Sequence, residues 1–103
     1  MINLPEPSVN PFGDFRSQCE RLLFKALRKA FPDVDFPPLT LDIPPNPQFG
    51  ELSSSICFEL AKKLHTSPLN VAKQLEEKAG EEAQFFPLVE FIRAEKPGYI
   101  NFY

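Results

Sequence analysis

The chain has 103 residues, of which 43% are hydrophobic, and a formal net charge of −3. These values are typical of one globular domain and exclude a disordered chain or a protein held on nucleic acid by bulk positive charge. No apolar run reaches the roughly 18 residues of a membrane span, and no signal pattern opens the chain, so we expect a soluble, cytoplasmic protein.

The inventory of catalytic residues favours a binding module over an enzyme. Cys19 and Cys57 are far apart in sequence, form no Cys-x-x-Cys motif and have one histidine, His65, as a further soft ligand, which indicates two buried, reduced thiols and no metal site. The four glycines form no phosphate-binding loop, and His65 has no nucleophile at a known spacing.

Residues 1–10 lack periodicity and are predicted to be a flexible tail, followed by one domain over residues 11–103. Asn10 and Pro11 form a cap-and-proline start for a first helix, which ends at Phe31-Pro32. The basic face of this helix, with Arg28 and Lys29, is typical of a solvated surface but would also suit contact with phosphate.

A proline-rich bend organises the middle of the chain. Residues 39–43 alternate in polarity and predict a short strand, which the prolines of residues 44–47 end. The bend presents Asn46 and Phe49 at the entrance of a second helix, predicted over residues 52–64. Such a stiff, exposed loop is a candidate recognition surface.

A third helix and a hairpin follow. Ser67-Pro68 repeats the cap-and-proline pattern, and the helix is predicted to run to about Lys78, with Gly80 ending it and residues 81–87 adding one turn. The closing hairpin is predicted from a strand over residues 88–95, a turn over residues 96–98 and a strand over residues 99–103.

Alternation in the last strand places its side chains on two faces. Ile100 and Phe102 suit the core, while Tyr99, Asn101 and Tyr103 share the other, exposed face. An exposed ring beside an amide suits a site that stacks on a nucleobase and hydrogen-bonds its edge. An ordinary half-buried strand tyrosine beside a polar neighbour fits the pattern as well.

Two separated motifs resemble the N-terminal additional domain of arginyl-tRNA synthetases. They are NPQFGELSSSICFELAKKLHTSPLNVAKQLEEK, starting at Asn46, and IRAEKPGYINFY, ending at Tyr103. The resemblance covers about residues 15–103. It implies an α+β fold in which three to four helices pack on one face of a small antiparallel sheet.

The resemblance also implies a function, namely contact with the D-loop at the elbow of tRNA to help select the cognate tRNA. Family members hold a D-loop base with residues that match Tyr99 and Asn101, and some use residues that match Asn46, Phe49 and Glu51. Further basic side chains are candidates for phosphate contacts: Lys62, Lys63, Arg28 and Lys29.

These 103 residues lack the His-x-Gly-His and Lys-Met-Ser-Lys-Ser signatures of the family's catalytic domain. We therefore expect no catalysis and no cofactor in this chain, with ATP and arginine bound by the remainder of an arginine–tRNA ligase. The chain is then an excised domain or a free-standing relative. A protein–protein interaction module that uses the same Phe-rich surface is the alternative function.

Overall fold

The structure is a computed structural model that describes residues 11–103, so the predicted tail over residues 1–10 lies outside the described residues. The described helices and strands, in chain order, are α1 (Pro11–Ala30), β1 (Leu52–Ser54), α2 (Ile56–Leu64), α3 (Pro68–Glu82), β2 (Ile92–Glu95) and β3 (Tyr99–Phe102). Short 3-10 helices cover Pro47–Phe49 and Ala83–Phe85. This arrangement confirms the predicted α+β class.

The three described strands form an antiparallel sheet in the order β1-β3-β2. The inner face of β3 presents Ile100 and Phe102, both fully buried beneath α2 and α3, as the alternation predicted. Helix α1 packs on the other side of α3. The inner face of the sheet and the buried faces of the helices form one core. Burying a side chain of this size contributes roughly 1.5–3 kcal/mol to stability.

The second helix begins later than the sequence predicted. Leu52–Ser54 is strand β1, and α2 starts at Ile56. Serines are poor in a helix interior because their hydroxyls compete for backbone groups, and the Ser54 hydroxyl here accepts a hydrogen bond from the Ile56 N–H at 3.2 Å. Ser53 instead pairs with Asn101 of β3.

Two predicted strands are shorter in the structure. Within residues 39–43 one bridge forms, from Asp42 to Ser53, because prolines on both sides of this segment supply no N–H for a longer ladder. The strand predicted over residues 88–95 starts at Ile92, although Tyr103 still exchanges backbone hydrogen bonds with Glu90 and Phe91.

Helix α3 passes through Gly80 and ends at Glu82, so the predicted stop at Gly80 is wrong. Tertiary contacts outweigh the helix penalty of one glycine: Ala79 is fully buried, and Lys29 of α1 pairs with Glu82 at 2.7 Å and with Glu81 at 3.6 Å. The start of α3 is as predicted, since the Ser67 hydroxyl accepts from the Asn70 N–H at 3.1 Å.

Candidate nucleic-acid interface

A groove lies on the side of the sheet that faces away from the helices. We call it the sheet groove; its lining comprises residues 42–45, Phe49, Ser53, Ser55, residues 95–96, Tyr99 and Asn101. Its volume is about 330 Å³, at the small end of the range of roughly 300–1,000 Å³ for ligand sites. The segment before the bend and Phe49 form one wall, and β3 crosses the site.

Tyr99 lies in this groove with 40% of its surface exposed. Its ring meets the ring of Phe58 from α2 edge to face, at 5.1 Å between centroids and 72° between planes. This T-shaped contact is a favoured aromatic geometry and fixes the orientation of the ring. Tyr99 is thus an oriented, solvent-accessible aromatic, as predicted for a base-stacking residue.

Asn101 lines the same groove, but it is 2% exposed, so the prediction that it is exposed is wrong. It lies on the central strand between Ser53 of β1 and Arg93 of β2, which cover its flanks. No hydrogen bond joins its carboxamide to another side chain or to backbone in residues 11–103, and no fully enclosed polar atom there lacks a partner. The carboxamide therefore reaches the groove surface with its donor and acceptor available.

The proline bend is held by local hydrogen bonds and a tether to the last residue. The Asn46 side-chain oxygen accepts from the Gln48 N–H at 3.0 Å, which caps the 3-10 helix, and the Tyr103 hydroxyl donates to the Gln48 carbonyl at 2.9 Å. Gly50 has φ 92°, and a Cβ there would overlap the Phe102 carbonyl oxygen. The bend thereby holds Phe49, 41% exposed, at the groove.

Glu51 lies on the opposite side of the bend from the sheet groove. Its N–H donates to the Phe102 carbonyl at 2.8 Å, and its exposed side chain lines a second depression with Glu90, Phe91 and Tyr103. The structure thus brings Tyr99, Asn101 and Phe49 together and places Asn46 and Glu51 on the adjoining bend.

None of the four candidate phosphate contacts lines the sheet groove. Lys63 donates to the Asp35 carbonyl at 2.6 Å, while Lys62 is exposed one helical turn after Phe58. Arg28 and Lys29 are on α1, beyond α3 from the sheet. The hydrogen bond from Lys29 to Glu82 raises the pKa of the lysine and lowers that of the carboxyl.

Four residues that form or flank the site were not identified from the sequence: Ser53, Phe58, Arg93 and Glu95. The predicted hairpin contained the signal for two of them, because a turn over residues 96–98 pairs Glu95 with Tyr99 and Arg93 with Asn101, as observed. Ser53 was not considered as a strand residue because a helix was predicted over residues 52–64.

Both cysteines are free and fully buried, as predicted. Burial raises the pKa of each thiol from 9.0 to about 12. In residues 11–103 there is no cluster of three or more His, Cys, Asp or Glu side chains arranged to hold a metal ion. None of the helices in that range is long and apolar enough to cross a membrane.

The family model described as the arginyl tRNA synthetase N terminal domain matches residues 17–103. An arginine–tRNA ligase of Methanosphaera stadtmanae is 41% identical over 66 residues, which cover 63% of this chain and 11% of that protein. A probable cytoplasmic arginine–tRNA ligase of Caenorhabditis elegans is 35% identical over 97 residues, covering 89% of this chain and 12% of that protein. The chain thus spans about a tenth of the length of these curated relatives.

The fold agrees with a solved structure of the arginyl-tRNA synthetase from Plasmodium falciparum, with a TM-score of 0.67 over 84% of this chain and 15% of that one. Sequence identity there is 15%, so this likeness shows the fold alone. Since the family model covers most of the chain and the resemblance noted from the two motifs is confirmed, the chain belongs to the arginyl-tRNA synthetase N-terminal domain family.

Proposed function

We propose that this chain is the tRNA-binding domain of a cytoplasmic arginine–tRNA ligase and that its sheet groove takes an unpaired D-loop base at the tRNA elbow. The supporting observation is that the exposed ring of Tyr99 and the carboxamide of Asn101, which has no partner in residues 11–103, line one groove. ATP, arginine and the ligation chemistry belong to the remainder of that enzyme.

Stacking and edge recognition divide the work in this groove. A base on Tyr99, with Phe49 on the opposite wall, gains roughly 1–3 kcal/mol from stacking, whatever its identity. The Asn101 carboxamide offers one donor and one acceptor direction to the base edge. Since a buried amide left without partners costs about 1–3 kcal/mol, bases that match its donor and acceptor are preferred over bases that do not.

The charges around the groove limit how tightly this chain holds RNA by itself. Asp42 and Glu95 line the groove together with Lys96, and the whole chain carries a net charge of −3. Phosphate neutralisation supplies most nonspecific affinity, and this surface provides little of it. We therefore propose that the domain contributes selectivity and that the remainder of the enzyme supplies most of the affinity.

The test is binding of the 103-residue chain to an arginine-tRNA transcript and to the same transcript with its D-loop bases replaced. Tyr99→Ala should weaken binding to the first transcript by about 5- to 150-fold, the equivalent of one lost stacking contact. Tyr99→Phe keeps the ring and should bind nearly as well. Phe85→Ala is the matched control, because Phe85 is 62% exposed and lies outside the groove.

Asn101→Leu tests the edge contact, since it keeps the side-chain size and removes both polar atoms. It should weaken binding to the natural transcript more than it weakens binding to the altered transcript. Equal affinity for both transcripts, with Tyr99→Ala unchanged, would contradict the proposal. Tight self-association in size-exclusion chromatography without RNA binding would instead support the protein-interaction alternative.

A further inference from the structure

Next to the sheet groove, two stacked rings form an exposed pair. The rings of Phe91 and Tyr103 lie 4.4 Å apart between centroids with 13° between planes, and Phe91 is 40% exposed. The Tyr103 N–H donates to the Phe91 carbonyl at 3.0 Å, and the Tyr103 hydroxyl donates to the Gln48 carbonyl at 2.9 Å. Backbone, ring and hydroxyl contacts therefore fix the pair in place.

Arg93 lies beside this ring pair. Its guanidinium carbon is 5.4 Å from the Phe91 centroid and 5.9 Å from the Tyr103 centroid. Both distances are within the roughly 6 Å of a cation–π contact, so the same guanidinium interacts with both rings of the pair. Arg93 is thus an exposed arginine with restricted motion.

Strand pairing brings Arg93 next to the groove. Arg93 and Asn101 are register partners on β2 and β3, and the side chains of such partners share one face of the sheet with about 4.5–5.5 Å between Cβ atoms. The ring pair and the groove residue therefore flank the same guanidinium. The distance between a group bound at Arg93 and a base bound at Asn101 is therefore short enough for one nucleotide to span.

The charge of Arg93 is not neutralised by an ion pair: the salt bridges in the described part of the chain involve Lys29 and Lys78. Acidic groups surround the site at longer range, namely Glu95 two residues along β2, and Glu51 and Glu90 in the depression beyond the ring pair. These carboxylates oppose the binding of an anion nearby, so a phosphate contact here depends on direct hydrogen bonds to the Arg93 guanidinium. A planar guanidinium with free donors suits a phosphate, which it binds through two parallel hydrogen bonds.

We propose that Arg93 binds a phosphodiester group of the RNA whose base occupies the sheet groove and that the Phe91–Tyr103 pair holds the guanidinium in position for it. This inference rests on the proposed function. It places the phosphate contact on the sheet rather than on Lys62, Lys63, Arg28 or Lys29.

Salt dependence tests the proposal, because each phosphate contact to single-stranded RNA adds about 0.7 to the slope of log affinity against log salt. We expect Arg93→Gln to weaken binding of the 103-residue chain to the tRNA transcript and to lower the magnitude of that slope by about 0.7. Arg93→Lys keeps the charge and should keep the slope, with weaker binding because an ammonium group cannot make the bidentate contact. Arg21→Gln, an exposed arginine on α1, is the matched control and should change neither quantity.

The outcomes separate this inference from the proposed function. If Tyr99→Ala weakens binding while Arg93→Gln leaves the slope unchanged, the phosphate contact is wrong and the base-binding groove stands. Weaker binding of Arg93→Gln with an unchanged slope has the same meaning, since it indicates packing beside Asn101 rather than charge. Because the isolated domain is expected to bind weakly, binding is measured up to about millimolar transcript. If the wild-type chain does not bind the transcript there, both fail. Thermal unfolding of each variant, expected to match the wild type within a few degrees, verifies that the fold is intact.

Discussion

The helical side and the sheet-groove side of this domain are built in different ways. The helical side is held by apolar side chains that recur every three or four residues along α1, α2 and α3 and meet in one core. The groove side is held by a few hydrogen bonds between segments distant in sequence, such as the two backbone bonds between Asp42 and Ser53 and the bond from the Tyr103 hydroxyl to the Gln48 carbonyl. The shape of the groove therefore depends on few contacts.

The largest effect should come from Gly50→Ala, on the groove side. Gly50 has φ 92° and ψ −169°, a conformation nearly restricted to glycine, and the added Cβ would overlap the Phe102 carbonyl oxygen. Strained backbone conformations cost about 1–3 kcal/mol each, and the overlap places this substitution near 3 kcal/mol. Chemical denaturation should show that loss. A stability within about 0.5 kcal/mol of the wild type, roughly a sixth of the expected loss, would mean that the bend is not fixed as described.

Glu76 should have the next largest effect, because it joins the two sides. Its carboxylate, on α3, accepts a hydrogen bond from the Ala94 N–H of β2 at 2.5 Å, at the edge of the sheet that carries no further strand in the described chain. Glu76→Ala leaves this part-buried N–H to water and should cost about 1–2 kcal/mol in the free energy of unfolding.

Glu76→Gln is the matched variant, since it keeps an acceptor oxygen at the same distance and removes the charge. It should recover at least half of the loss, as neutral hydrogen bonds are weaker than charge-assisted ones. Equal losses for both variants would show that the carboxylate acts through its charge and not by capping the edge of β2.

The difference between the two sides also explains how far the sequence could predict this molecule. Periodicity located α1 and the inward side chains Ile100 and Phe102, and the cap-and-proline pattern located the start of α3, because these features depend on local sequence. These local patterns missed β1, because Leu52–Ser54 forms a strand by pairing with β3 and Asp42, which are distant in sequence.

The candidate site shows the same division. Alternation along β3 identified Tyr99, and the hairpin turn contained the pairing of Arg93 with Asn101. The burial of Asn101 could not be read from its own strand, because one of its two flanking residues, Ser53, belongs to β1, which pairs with β3 across a long sequence separation. A site between segments that meet through long-range pairing requires the tertiary structure.

The buried thiols test whether the helical core is dry. Burial raises the pKa of the Cys57 thiol from 9.0 to about 12, so the unfolded chain ionises first as the pH rises. The stabilising effect of this thiol is complete below about pH 9 and is lost as the pH rises toward 12. Because the thiol ionises in the unfolded chain first, the free energy of unfolding should fall by about 1 kcal/mol per thiol between pH 9 and pH 10.

Cys57→Ala isolates this contribution, since the variant lacks the titrating group. Its absolute stability falls because a buried atom is lost, but its decline between pH 9 and pH 10 should be about 1 kcal/mol smaller than that of the wild type. Parallel curves for the two proteins would show that solvent reaches the thiol and that the core around α2 is open.

The smallest expected effect has the opposite sign and lies on the helical side. Gly80 is exposed within α3, and a Cβ built there meets nothing within 4 Å. Gly80→Ala should therefore stabilise the protein by about 0.5–1 kcal/mol, because alanine loses less backbone entropy on entering a helix. The same glycine-to-alanine change is thus expected to stabilise the protein at Gly80 and to destabilise it at Gly50. The exposed helix has space for a Cβ, and the bend beside the groove does not. A destabilising Gly80→Ala would indicate that α3 ends at Gly80, as the sequence alone suggested, and that the ion pairs of Lys29 with Glu81 and Glu82 do not hold its last turn.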